Sequence, residues 1–119
     1  MRFVIGSLIV LAGSALIAQV VSPKSVASTK DIMLTMSIPA SNALFDAGAK
    51  EKLTDEEWAG FRKQAVLLAE SGNLLMLDRR ARDQGDWIKD AKLLIDVGAA
   101  AYKAAQAKDL PAIVALNDQ

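Results

Sequence analysis

Between Thr54 and Ala105 an apolar residue returns at every third or fourth position, in two separate runs. Trp58, Phe61, Ala65, Leu68, Gly72 and Leu75 form the first row; Trp87, Ala91, Leu94, Gly98, Ala101 and Ala105 form the second. This near-heptad period predicts two long amphipathic helices that pack along a seam. The first has a clear start. Thr54-Asp55-Glu56-Glu57 is a capping box, in which the Thr54 hydroxyl accepts from the third amide and Glu57 reaches back. It is expected to run to Leu77-Asp78. Asp86 is expected to cap the second, and Leu93, Val97 and Tyr102 widen its apolar face. Gly72 lies mid-helix, where glycine costs about 1 kcal/mol relative to alanine. Its position, like the small residues at 98–101, therefore argues for close approach of a neighbour.

Two further helices flank this pair. From Ser28 or Thr29 to about Ala47, Ile32, Met36, Ala40, Ala43 and Leu44 recur at helical spacing, with Met33 and Ala47 beside them. Asp31 sits in the first turn, at the positive end of the helix dipole. Pro39 lacks an amide donor and should kink this helix near Thr35-Met36. Gly48 to Leu53 reads as a solvated loop, and Arg79 to Gly85 as a polar turn. Asp109-Leu110-Pro111 then opens a fourth helix, since aspartate caps and proline is tolerated in the first turn. Ile113, Val114 and Leu116 begin its apolar face before the sequence given ends at Gln119. One or two turns are too short to cover three amphipathic helices.

The N-terminus has a different pattern. Met1-Arg2 is a short positive start, Phe3 to Val21 is uncharged and mostly apolar, and Ser25 and Ala27 are small residues at the −3 and −1 positions of a cleavage site. Residues 1–27 are therefore read as a signal peptide, which leaves a chain beginning at Ser28. The alternative is an uncleaved membrane anchor, because the run just reaches spanning length. Either route places the domain, residues 28–119, across a membrane.

Charge and chemistry narrow the picture. The 14 basic and 14 acidic residues balance, and without Arg2 and Lys24 the acids are in slight excess. A nucleic-acid surface would show a basic patch instead. The sequence holds no Cys and no His. It has no Gly-rich phosphate loop and no acid pair flanking a pocket, so it does not read as an enzyme.

Several strings occur in a characteristic order. They are Lys30-Asp31-Ile32-Met33, Ile38 to Phe45, Glu57-Trp58, Ala65 to Met76, Arg80 to Trp87 and Ala104 to Asp109. Together they resemble exported c-type haem proteins related to cytochrome c′, and the likeness covers residues 30 to 119. The resemblance implies an all-α, antiparallel four-helix bundle of cytochrome c′ type with its fourth helix truncated, in the periplasm. It implies haem c held by a C-x-x-C-H motif and a role in electron transfer or gas-ligand binding. It also implies that Met33 faces the haem. The attachment motif is absent from this sequence, so no covalent haem is expected on these residues.

Plainer readings stand beside these. Met33 and Met36 serve equally as core filler. Trp58 and Trp87 are packing anchors at the bundle ends. Arg79, Arg80 and Arg82 could meet haem propionates, or form a solvated turn balanced by Asp78, Asp83 and Asp86. Two other functions remain open. One is a non-enzymatic interaction module whose groove is closed by a partner helix, a second copy in a homodimer, or the uncleaved leader. The other is noncovalent binding of haem or an apolar ligand through Met33.

Overall fold

The chain folds as α1 (Thr29–Ile32), a π-helical segment (Met33–Ser37), α2 (Ile38–Gly48), α3 (Asp55–Leu75), α4 (Asp86–Gln106) and α5 (Leu110–Leu116). This computed structural model describes residues 21–77 and 79–119. Of the leader or anchor expected over residues 1–27, the first 20 lie outside them. Among the described residues there is no strand, and no helix is long and apolar enough to cross a membrane.

The helix starts are set by local chemistry. Ser28 caps α1 in a reciprocal box: its hydroxyl accepts from the Asp31 amide at 3.1 Å, and its own amide donates to Asp31 Oδ2 at 3.1 Å. Thr54 and Glu57 form the expected box on α3, with distances of 3.2 and 2.8 Å. Asp109 caps α5 by accepting from the Ala112 amide. The start of α4 departs from expectation. Asp86 is already the first helical residue, Gly85 is the cap, and the carboxylate that serves it is Asp83, which accepts from the amides of Gly85 and Trp87.

Pro39 acts differently from a simple kink. It has no amide to give to the Thr35 carbonyl, and the turn before it widens. Ile38 N–H donates to Met33 O, five residues back. The wide turn absorbs one extra residue, so the buried row reads Ile32, Ser37, Ala40, Leu44, Ala47. Ser37, not Met36, fills the fully buried position, and Met36 is half-buried.

The segment Thr29–Gly48, α3 and α4 run alternately up and down. Ser37 meets Ser71, Gly72 meets Ala91, and Gly98 meets Ala69. The α3–α4 pair is the tightest. A Cβ on Gly72 would lie 2.5 Å from the Ala91 carbonyl oxygen, and one on Gly98 would lie 2.8 Å from Ala69 Cα. Both glycines are therefore placed by backbone proximity, as the sequence row implied. The core divides in two. One cluster gathers Leu44, Trp58, Phe61, Leu68, Ala101 and Ile113; a smaller one joins Ile32, Leu75 and Ala91 at the opposite end. Trp58 meets Phe61 edge-on, with ring centroids 6.4 Å apart, and Trp87 Nε1 donates to Leu75 O at 2.7 Å. α5 packs on α2 and α4.

Candidate functional site

The position of α5 marks one side of the bundle. Ile113 is wholly buried in the same cluster as Leu44 and Ala104, and the Asn117 side chain lies against Gly48, the last residue of α2. Gly48 belongs to a helical row, Ile38, Ser41, Phe45, Gly48, with spacings of three and four, and the five-residue wide turn carries it back to Met33. On α4, Leu93, Val97, Ala100 and Ala104 form a row of similar spacing, and Val97 and Ala104 belong to the same cluster as Ile113.

At the Gly48 end α5 packs on both α2 and α4. Farther down, Leu34 is 53 % exposed, Ile38 44 %, Phe45 52 % and Leu93 41 %. From Gly48 back to Ile38 the row spans about 15 Å of helix. Scattered exposed apolar residues are ordinary, but a contiguous row is a recognised sign of a docking face.

Met33 stands one wide turn before Ile38 and is 37 % exposed. That spacing places it on the same flank, so it is not core. Met36, by contrast, packs with the lower cluster. The arginines separate as well. Arg79 and Arg82 are exposed, whereas Arg80 is buried, at 6 % exposure. Its Nε and Nη2 donate to Ala27 O at 3.1 and 2.9 Å, and Nη1 donates to Leu74 O at 3.1 Å. Arg80 is thus committed to backbone carbonyls and is no part of a solvated turn. The sequence could not show this, because Ala27 is 53 residues away. Glu70 is exposed, and Asn73 reaches Glu70 within the same helix and does not cross the bundle.

Three carboxylates are perturbed, and all three are structural. The Ser28 hydroxyl, then the Ser28 amide, hold Asp31 below its ordinary value. The Lys108 ammonium, 2.7 Å away, does the same for Asp55. Lys50 and then the Thr54 amide lower Glu57. Each sits at a helix start, where negative charge meets the positive end of the dipole.

Two clefts lie elsewhere. One, of about 650 Å³, separates residues Ser22–Ser25 from Met76, Leu77 and Arg79; a shallower one of about 270 Å³ lies between α2 and α3 near Lys50 and Gln64. Among the described residues, no group of His, Cys, Asp or Glu is arranged to hold a metal ion. Covalent haem needs thioether-forming cysteines and a proximal ligand. The 119 residues contain neither Cys nor His, so the residues present do not fit haem c; Met33 is the one soft donor on the flank. No protein-family model, curated protein or solved structure matches the chain.

Proposed function

We propose that this chain is the framework of an exported, cytochrome c′-type bundle serving electron transfer, and that the exposed apolar rows of its first helix and α4 border a trough built to seat a fourth, haem-bearing helix. One observation carries the reading. The row that meets Asn117 at Gly48 continues through the exposed Phe45 and Ile38 to Met33, and a fourth helix prolonged beyond α5 would lie along it. The resemblance carried by the ordered strings in the sequence supports the family reading. The Cys and His that attach haem in that family would have to come from outside these 119 residues. Met33 is the residue on this chain that would face the group. The chain's own part is to bury the apolar side of the incoming helix and to exclude water from it.

The test is to extend the chain at Gln119 by an amphipathic helix carrying C-x-x-C-H and to express both forms with a c-type haem attachment system. The extended form is expected to show a Soret band that survives acid–acetone extraction, and the unextended form none. Covalent haem on the unextended form would overturn the proposal. So would an extension that stays protease-sensitive and leaves the melting temperature unchanged.

A second reading rests on the missing ligands. The same trough serves as a non-enzymatic docking face for a partner's amphipathic helix or for a second copy of the chain. In that case an extension without C-x-x-C-H stabilises the bundle as fully as one with it, whether or not haem is supplied.

A further inference from the structure

The Ala27–Ser28 peptide is the bond that the small residues Ser25 and Ala27 mark for cleavage, and the fold grips both of its sides. Its carbonyl oxygen accepts two hydrogen bonds from Arg80, at 3.1 and 2.9 Å. Its amide donates to Asp31 Oδ2 at 3.1 Å, and the Ser28 hydroxyl holds the same oxygen at 2.7 Å. Helix α1 begins immediately after it. The guanidinium is buried, and its third hydrogen bond goes to Leu74 O.

We propose that Ala27–Ser28 is a processing junction that closes on folding, with Arg80 as its latch, so that an endoprotease of small-residue specificity must act before α1 docks. Two physical obstacles follow from the geometry. A hydrolase aims its own donors at the carbonyl oxygen of the scissile bond, and here Arg80 occupies that oxygen. It binds substrate as an extended strand, and the residues after Ser28 are helical. Cleavage then waits for local opening of the segment. In the reaction water adds its hydroxyl to the Ala27 carbonyl carbon and a proton to the Ser28 nitrogen as the C–N bond breaks. The leader departs with the oxygen that satisfied Arg80, leaving the buried guanidinium with the Leu74 carbonyl. The last leader residue is therefore part of the folded full chain.

The inference takes its biological setting from the export reading, but the grip on the bond is independent of it. The experiment uses the purified full chain and a synthetic peptide of residues 21–34, both treated with an elastase-type protease that cuts after small residues. Mass spectrometry follows the Ala27–Ser28 bond. Cleavage in the folded chain is expected to be slower than in the peptide by about 100-fold, on the scale of local opening equilibria. Arg80→Ala is expected to remove most of that protection and Arg80→Lys part of it, while Arg82→Ala, on an exposed side chain, leaves it intact. Should Arg80→Ala fail to fold, Asp31→Ala, which frees the amide side, is expected to speed cleavage in the same way. Equal rates in folded chain and peptide would overturn the proposal. So would a folded Arg80→Ala variant, its helicity checked by circular dichroism, with unchanged protection. An intact Met1 on protein recovered from cells would count against cleavage of the leader, and for an uncleaved anchor, while leaving this protection in place.

Discussion

The hydroxyls of Ser37 and Ser71 meet at 2.9 Å inside the bundle, where Ser71 has no exposed surface. Ser71 passes its own proton to Leu68 O at 2.8 Å and thereby accepts from Ser37. The contact exists because the wide turn before Pro39 rotates Ser37 inward. It ties the one irregular stretch of the first helix to the centre of α3.

Removing one member of that pair should cost more than its size implies. Ser71→Ala leaves the buried Ser37 hydroxyl without its acceptor, at a cost of about 1–3 kcal/mol. Replacing both serines with alanine is expected to cost less than the sum of the single changes, because no orphaned hydroxyl remains. Urea denaturation of the two single variants and the double variant measures the coupling. Strictly additive effects would mean that the hydroxyl contact contributes nothing.

The three helical glycines of α3 and α4 should respond in opposite directions. Gly72→Ala and Gly98→Ala gain helix propensity worth about 1 kcal/mol. They also force a methyl into the Ala91 carbonyl or the Ala69 backbone, and overpacking costs about 1–3 kcal/mol. Net destabilisation is expected at both. Gly60 has open space around a built Cβ, so Gly60→Ala should stabilise by about 0.8–1 kcal/mol. The same denaturation series reads all three.

Stability should fall in acid, and the sign follows from the helix caps. Asp31, Asp55 and Glu57 are all held below their ordinary values of 3.8, 3.8 and 4.5 by hydrogen bonds to the ionised form. A depressed carboxylate stabilises the fold fully above its unfolded value and loses that contribution as pH falls through its folded value. Melting temperature is therefore expected to be flat above about pH 5 and to decline below it. Glu57→Gln should flatten part of that decline. A melting temperature that rises on acidification would contradict these assignments.

How much of this was legible in the sequence depends on how local each cause is. The Thr54–Glu57 box, the Asp109 cap and the two seams follow from residues within a turn or two of one another, and the structure has them where the spacing puts them. Gly72 and Gly98 were readable because a glycine in a helical row needs a packing reason. The widened turn was not, since the period of the first helix fits Met36 until one extra residue is inserted. Asp83 displaced Asp86 as the capping carboxylate because Asp86 had already entered the helix. Arg80 was misread because its acceptor is Ala27, a contact made only when the two ends of the bundle's base come together. For the proposed trough, composition showed that haem ligands are missing, and the α5–Gly48 contact was needed to show where α5 sits on the first helix.

The most direct test is sedimentation of the chain beginning at Ser28, over a range of concentrations, beside an Ile38→Glu/Phe45→Glu double variant. If Leu34, Ile38, Phe45 and Leu93 border an apolar trough awaiting a helix, the parent chain should self-associate. The double variant should then stay monomeric with unchanged helicity. A parent chain that is monomeric throughout and melts cooperatively would contradict the open trough and, with it, the seat for a fourth helix.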